Sequence, residues 1–499
     1  MNKKNLILST QCAIVIGLLL AGSLRGWPDL TTQDMSPGSP FESSNNNSRY
    51  ALVQAMVHDR TFILDTEKAR FSSPDVSKLG DRYFSIFTPG VSFLGLPFYL
   101  AGRFLGNPQL VTYLSVTLLA LVNFFLVVLL ARRLGATVPA SLLSGSLFLF
   151  GSNALSYATT FTQHHPSTTV ILLSLLISGA RLSLWRDLLF GLLFGIGLLL
   201  DIPNVFFLAP PAVYLMYRHF EFNYRNPLLS VRFNPRFLVT FLGIAAGILV
   251  LIWYNLGTTG SPFLLAQFVG TTDDFVFNPV GPDPTTLVQE ESQIVRLPLN
   301  TRKQLNGFYT LLVSNERGWF YYSSFIVFGL WGLYEAYRRQ QSRNSALLYI
   351  SLISVMLVIY SMFGDPWGGW SFGPRYLIPA TAVACIPIGL IVTRFRKNLA
   401  FTILFWAAAL WSIFLSSLGA LTTNLIPPKK EASGLSVYIP YTPLRNVEMM
   451  NQGRTSSLFY NTFLVGIGTL DSRRYISIYA FVAFSLIILL YLSVKPLSE

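Results

Sequence analysis

The stretch from Leu110 to Arg133 reads LVTYLSVTLLALVNFFLVVLLARR and is free of charge until Arg132. A helix needs about 20 mainly apolar residues to cross the hydrocarbon core of a bilayer. The stretch is long enough, and it ends in two arginines of the kind that collect on cytoplasmic connections. It therefore predicts a transmembrane helix that runs from the outer face inwards.

Stretches of this kind recur along all 499 residues, 52% of which are apolar and only 12% charged, against about 25% charged in an average soluble domain. This composition excludes a soluble protein and predicts an all-α polytopic membrane protein with about twelve transmembrane helices. Asp201 and Pro203 interrupt the fifth and sixth spans, which form either a tilted hairpin or one broken helix. The predicted spans are 6–24, 110–131, 138–156, 166–180, 188–201, 203–217, 237–256, 318–337, 345–363, 376–393, 399–423 and 476–494.

The charges predict the orientation. With the N-terminus inside, the whole formal net charge of +13 falls on the predicted cytoplasmic segments, as the positive-inside rule expects. Both termini are then cytoplasmic, and no nucleic acid is needed to explain the basic balance. Lys3 and Lys4 before an apolar run that ends in Ala21-Gly22-Ser23 also fit a cleaved signal peptide, but we favour a retained first helix. The localisation predicted is the bacterial plasma membrane.

Long segments remain outside the membrane. The predicted organisation is a first helix (1–24), an outer-face loop with surface helices (25–108), a transmembrane bundle (109–256), a second outer loop (257–317), a second bundle (318–423), a third outer segment (424–475) and a last helix with its tail (476–499). Tyr50, Val53, Met56 and Val57 recur at helical spacing, which predicts an amphipathic surface helix, and 91–105 predicts an interfacial helix. Binding or processing on the outer face is expected.

Four motifs stand out. They are Arg49-Tyr50-Ala51 in the first outer loop, Tyr83 followed by Thr88-Pro89-Gly90, Ser314-Asn315-Glu316-Arg317-Gly318-Trp319-Phe320, and Trp367-Gly368-Gly369-Trp370-Ser371-Phe372-Gly373-Pro374-Arg375-Tyr376. With these motifs in this order, the chain resembles the GT-C membrane glycosyltransferases, in the bacterial branch related to protein O-mannosyltransferases and to the aminoarabinose transferase of lipid A. The last motif is the most specific.

The resemblance implies an enzyme that takes a hexosyl or pentosyl group from a polyprenyl-phosphate carrier and transfers it, with inversion, on the non-cytoplasmic face. Its partners would be the lipid-linked sugar, membrane lipid and a glycan, lipid or protein acceptor. The sequence has no metal-binding motif, since adjacent His164 and His165 without an ordered set of acids are weak evidence for one. The cofactor requirement stays open.

The chain departs from the family at one point. Asn46 and Asn47 stand where the family usually has an acidic pair, and an amide cannot accept a proton from an acceptor hydroxyl. Either the base has moved or the chain is not catalytic in the family's usual way. We hypothesise that Asp75 supplies the carboxylate, kept ionised by Lys78 or Arg82, and that Asp81 positions the loop or binds the acceptor. Asp59 and Glu42 are weaker alternatives.

A phosphate-linked sugar needs cations for its phosphate and aromatic faces for its ring. A transporter or flippase of lipid-linked sugars, a non-catalytic scaffold and an O-antigen-ligase-like transferase remain alternatives. A transporter should show polar groups along a pathway inside the spans, and few are present. The predicted substrate-binding residues are Arg49, Tyr83, His164, Arg317, Trp370, Arg375 and Tyr376.

Overall fold

The chain is almost entirely helical in the computed structural model, which describes residues 3–26, 33–225, 228–272, 274–275, 299, 301–467 and 470–495. Within those residues, the strands form two antiparallel hairpins, β1 (Val76–Leu79) with β2 (Arg82–Ser85) and β3 (Phe220–Arg225) with β4 (Leu228–Phe233). The predicted all-α class is confirmed.

The helices follow the order of the apolar stretches. The first half contains α1 Lys3–Ser23, α2 Ser44–Gln54, α3 Thr66–Ser72, α4 Gly90–Phe104, α5 Pro108–Arg133, α6 Val138–Phe150, α7 Ala154–Tyr157, α8 His164–Ser178, α9 Leu184–Leu200, α10 Asn204–Phe207, α11 Ala209–Tyr217 and α12 Val239–Thr258. The second half contains α13 Ala266–Val269, α14 Gln304–Leu312, α15 Trp319–Tyr322, α16 Ile326–Arg338, α17 Arg343–Ser361, α18 Ile378–Cys385, α19 Ile388–Phe395, α20 Leu399–Ala420, α21 Lys429–Ala432, α22 Leu444–Asn451 and α23 Ser472–Ser493.

The described residues contain six helices that are long and apolar enough to cross a bilayer: α1, α5, α12 with the turn before it, α17, α20 and α23. A seventh span is formed if α18, with its preceding turn, and α19 are taken as one helix bent by 48°. The remaining predicted spans consist of shorter pieces; 318–337, for example, is divided into α15 and α16. The chain is an integral membrane protein, but the count of twelve spans is not confirmed.

The predicted interruption at Asp201 is present. α9 ends at Leu200, Asp201 adopts an extended conformation, and the chain resumes as α10 at Asn204. Proline at position 203 has no N–H to continue the ladder of α9. The polar side chain of Asp201 is therefore placed at the end of a helix instead of within its apolar surface.

The first outer segment is not the exposed surface helix that the pattern predicted. α2 is buried from Asn45 to Val53, because α3, α4 and β2 pack against it. The ring of Tyr50 lies 5.2 Å from that of Phe41 and 5.5 Å from that of Tyr99. The helical spacing of apolar residues is correct, but outer-face elements cover the helix.

A buried ion pair within the first outer segment is hydrogen-bonded to the start of the third. Arg25 donates to Glu42, and both side chains are 1% exposed. Glu42 also accepts hydrogen bonds from the backbone N–H of Gly38 at 2.7 Å, from the hydroxyl of Thr423 at 2.5 Å and from the N–H of Asn424 at 2.9 Å. With its oxygens so occupied, Glu42 has a structural role, which argues against it as the base.

The helices α9 and α12 cross at glycines. A Cβ atom on Gly191 would lie 2.0 Å from the carbonyl oxygen of Thr240, and one on Gly247 would lie 2.4 Å from the Cα of Gly195. Glycines on facing helices let their backbones touch, as is common in membrane helix pairs. At the end of α9, a Cβ on Gly90 would lie 2.5 Å from the backbone of Leu199, so α4 begins directly against the segment that leads to Asp201.

Candidate active site

The loop that carries the Trp-Gly-Gly-Trp motif depends on its glycines. Gly368, Gly369 and Gly373 have φ angles of +70°, +61° and +62°, a region that side chains other than glycine rarely adopt. Asp365 accepts a hydrogen bond from the N–H of Gly369 at 2.5 Å and so closes the turn. The motif thus folds as a tight loop that leads into the turn at Arg375.

Arg317 holds this loop in place. Its guanidinium is completely buried and donates to four backbone carbonyls, those of Glu316 at 2.8 Å, Trp367 at 2.8 Å, Gly369 at 3.0 Å and Ile426 at 2.8 Å. We call this arrangement the carbonyl clamp. A guanidinium has five N–H donors, so the clamp leaves little capacity for a substrate. The structure therefore gives Arg317 a structural part, where the sequence predicted substrate binding.

Arg375 has a different environment. Its Nε is buried without a hydrogen-bond partner, and in the part of the chain that the structure describes its guanidinium forms no ion pair within 4.0 Å. It lies 5.5 Å from the ring centroid of Tyr376, and that ring stacks on Tyr360 at 4.5 Å with an interplanar angle of 4°. A cation with an unpartnered Nε donor beside an aromatic pair is suited to a phosphate and a sugar.

Arg49 is the second cation of the site, and its side chain is buried. It donates to the backbone carbonyl and the side-chain oxygen of Asn45, and to the side-chain oxygen of Gln163 at 2.8 Å. Its guanidinium lies 3.7 Å from the ring centroid of Phe87. Burial lowers the pKa of Arg49 to about 9, although Asp201 and Asp75 oppose the change. The side chain stays charged at neutral pH and is fixed in position.

The charge of Asp75 interacts with these two cations and not with the neighbours that the sequence predicted. It accepts a hydrogen bond from Ser44 at 2.8 Å. Burial raises its pKa, whereas the bond from Ser44 and the charges of Arg375 and Arg49 lower it. Lys78 instead pairs with Asp274. The prediction that Lys78 or Arg82 would keep Asp75 ionised is therefore wrong.

Asp201 is the residue that sequence reasoning missed. Its charge interacts with Arg49 and Arg375, and with Tyr360 and Tyr376. The only signal in the sequence was an acid that interrupts an apolar span. Intramembrane and span-end acids of this kind often mark functional sites, but the sequence did not show what Asp201 faces.

His164 completes the set. It is buried at the start of α8, its Nε2 has no partner, and its ring lies 4.9 Å from Tyr157 in an edge-on arrangement. The charges of Arg375 and Arg49 act on it. We refer to Arg49, Asp75, His164, Asp201, Arg375 and Tyr376 as the central cluster.

The other predicted residues lie outside the central cluster. Asp81 is exposed at the turn of the β1–β2 hairpin, and Tyr83 donates to Asp274 at 2.7 Å, so it contacts the second outer segment. Trp370 donates from its indole N–H to Glu431 at 2.6 Å. Asp59 pairs with Lys68 at 3.0 Å. None of these is brought to the cations.

The asparagines in the family's acidic positions also point elsewhere. The amide of Asn46 donates to the carbonyl of Pro40 at 3.2 Å, and that of Asn47 to the carbonyl of Phe41 at 3.0 Å. An aspartate at position 46 would place a carboxylate against a carbonyl oxygen and lose this bond. Restoring the family's acid is therefore not expected to replace Asp75. The described residues hold no group of three His, Cys, Asp or Glu side chains suited to a metal ion.

Comparison with known proteins identifies the fold. ArnT from Cupriavidus metallidurans, in the apo state, matches with a TM-score of 0.50 and 14% sequence identity over 97% of this chain and 76% of ArnT. The same protein bound to undecaprenyl phosphate matches with a TM-score of 0.49. The archaeal oligosaccharyltransferase AglB from Archaeoglobus fulgidus, in complex with an inhibitory peptide and a dolichol-phosphate, has a TM-score of 0.42 at 14% identity, over 96% of this chain and 59% of AglB.

No protein-family model and no curated protein sequence matches the chain. The likeness to ArnT establishes that the chain has the GT-C fold, as the resemblance of its motifs implied.

Proposed function

We propose that the chain is a glycosyltransferase that moves a sugar from a polyprenyl-phosphate carrier to an acceptor at the outer face of the bacterial plasma membrane. The observation that carries the proposal is the central cluster with Tyr360, in which two arginines, two carboxylates and an aromatic pair come together from five separate segments of the chain. The ArnT fold and the ordered motifs support it.

The chemistry of the cluster suits the reaction. When a sugar leaves its phosphate, negative charge grows on the leaving oxygen, and fixed cations in a water-poor site stabilise it. Arg375, whose buried Nε has no partner, would bind the phosphate. Arg49, held in place by Gln163, would add the electrostatic attraction of its positive charge. The stacked Tyr360–Tyr376 pair offers a flat face for the sugar ring. A carboxylate is then available to accept the acceptor's proton.

The proposal also assigns parts of the chain to the two faces of the membrane. If the net positive charge lies inside, both termini are cytoplasmic, and the first outer segment, which contributes Arg49 and Asp75 to the cluster, is on the non-cytoplasmic face. The acceptor then reaches the cluster from outside, while the carrier's tail remains in the lipid.

Transfer from defined donors tests the function. The full chain, purified in detergent, is mixed with envelope membranes and with undecaprenyl-phosphate-linked hexoses and pentoses that carry a radiolabel in the sugar. We expect label to move from the lipid carrier to a second product, with release of undecaprenyl phosphate. Arg375→Met is the matched control. Absence of transfer from every donor, with a folded protein, would contradict the proposal.

A further inference from the structure

We infer that Asp201, and not Asp75, accepts the proton of the incoming acceptor hydroxyl; this inference rests on the proposed function. Asp201 lies in the break between α9 and α10, where the backbone is extended. It is partly accessible, its charge interacts with Arg49 and Arg375, and Gln163 bridges it to Arg49. It is also separate from the first outer segment, in which the sequence hypothesis placed the base.

The hydrogen bonds of the two carboxylates differ. Asp75 is held at its side chain by the Ser44 hydroxyl at 2.8 Å and at its backbone carbonyl by the Ser48 hydroxyl at 2.6 Å. The carboxylate of Asp201 receives a bond from Gln163 at 3.5 Å, the limit of hydrogen bonding, and one from the N–H of Ile202. A base needs a lone pair within reach of the proton that it takes. The side-chain bond to Oδ2 of Asp201 is longer than the side-chain bond to Oδ2 of Asp75, so this oxygen of Asp201 is the less firmly held of the two.

Two cations act on Asp201 in favour of its ionised form, against the opposing effect of its burial. They are Arg49 on α2 and Arg375 before α18, and the tyrosines that interact with it are Tyr360 on α17 and Tyr376. Arg49 and Arg375 come from distant parts of the sequence. The inferred scheme places the leaving phosphate and the base on opposite sides of the reacting sugar carbon.

Gln163 orients this arrangement. Its side-chain oxygen accepts from Arg49 at 2.8 Å, which leaves its NH₂ group facing the Oδ2 of Asp201. Gln163 is buried at the start of α8. The amide thus links the cation to the carboxylate and holds Oδ2 of Asp201. It is a positioning residue.

The inferred step balances. The acceptor oxygen attacks the anomeric carbon, and the bond from that carbon to the phosphate oxygen breaks. Its electron pair leaves with the polyprenyl phosphate, which Arg375 stabilises. The hydroxyl proton moves to the carboxylate of Asp201 and is later released to solvent. In this scheme Asp75 is held by Ser44 and Ser48. Its negative charge compensates the positive charges of Arg375 and Arg49, and it takes no proton.

A matched pair of variants tests the inference. Asp201→Asn and Asp75→Asn keep the shape of each side chain and remove its charge. A general base contributes roughly 10²- to 10⁴-fold in rate, so we expect Asp201→Asn to lower turnover by about that factor and Asp75→Asn by about tenfold. Binding of undecaprenyl phosphate, measured by isothermal titration, should change by less than about threefold in Asp201→Asn.

The pH profile separates a base from a structural residue. Wild-type kcat should fall on the acid side as the base is protonated, and the residual rate of Asp201→Asn should lack this limb. Gln163→Leu removes a hydrogen-bond donor to the Asp201 carboxylate. The acid-side fall in the kcat of this variant should therefore lie at higher pH, with a similar kcat at the plateau. This variant provides the test if Asp201→Asn does not fold. An unshifted limb in Gln163→Leu, or a larger loss in Asp75→Asn than in Asp201→Asn, would overturn the inference. If the wild-type chain transfers no sugar, the proposed function itself fails.

Discussion

The carbonyl clamp and the central cluster each contain an arginine at the outer end of a predicted span, but the two arginines are used differently. Arg317 is buried and donates to four backbone carbonyls, whereas Arg375 is partly exposed and keeps a buried Nε donor without a partner. A buried polar group without a partner costs free energy. In this pair, the arginine whose donors are satisfied is structural, and the arginine with the unpartnered donor is the one that we assign to an anion.

The largest effect is expected at the carbonyl clamp. Arg317→Met leaves four carbonyls without their donor, which should lower the free energy of unfolding by about 3 kcal/mol or more. Thermal unfolding in detergent, followed by size-exclusion chromatography, measures this loss. Activity should fall because less protein is folded. A variant that melts like the wild type but no longer binds undecaprenyl phosphate would reverse the roles assigned to the two arginines.

The matched change in the central cluster should act on turnover instead. A hydrogen bond to a charged group is worth about 1.5–3 kcal/mol, so Arg375→Met should lower turnover about tenfold or more. Its melting temperature should stay at or above that of the wild type. Arg375→Lys should recover part of the rate, because an ammonium cannot reproduce the two-pronged contact of a guanidinium. Near-normal transfer by Arg375→Met would contradict its assignment to the phosphate.

Asp75 adds a test based on how the free energy of unfolding depends on pH. Burial raises its pKa, so the folded chain keeps the proton to a higher pH than the unfolded chain. The free energy of unfolding then falls as the pH rises from the unfolded pKa through the folded one. Asp75→Asn has no such loss, and its melting temperature should gain on that of the wild type as the pH rises. A difference that is independent of pH would contradict the raised pKa.

The smallest functional effect is expected at the hairpin turn. Asp81 is exposed, so Asp81→Cys should retain activity within about twofold. A membrane-impermeant thiol reagent should label this cysteine from outside in intact cells, because Cys12 and Cys385 are buried. Gln341→Cys, exposed between α16 and α17, should be labelled only after the cells are opened. Labelling of Gln341→Cys from outside would place the clamp and the cluster on the opposite side.

The sequence predicted much of the fold, because apolar runs long enough for a bilayer have few alternative structures. The break at Asp201 and the helix at 91–105, observed as α4, followed from proline, glycine and charge. The number of spans did not follow, because hydropathy does not show where a run divides into short helices such as α6 and α7. The burial of α2 was not predicted, because the helical spacing of apolar residues does not show that the elements that follow it, α3, β2 and α4, cover the helix.

The candidate site was predicted only in part. Arg375 and Asp75 were identified, since the motif and the acidic loop both contain unusual charges for this chain. The role of Arg317 could not be read from the sequence, because its acceptors are main-chain oxygens from three separate segments. Asp201 was noted as an interruption only, because the cations that give it a role lie 152 positions before and 174 positions after it in the sequence.

The glycine crossing of α9 and α12 has a consequence for the height of the chemistry within the bilayer. Two backbones in contact at Gly191, Gly195, Gly243 and Gly247 cannot slide past one another without a collision of main-chain atoms. α9 is therefore held at one level relative to α12, and so is Asp201 at its end. A change in lipid thickness can tilt a lone helix, but these two helices would have to tilt together. For the proposed transfer between a membrane-bound donor and an acceptor, the carboxylate of Asp201 then keeps its position relative to the rest of this helix pair.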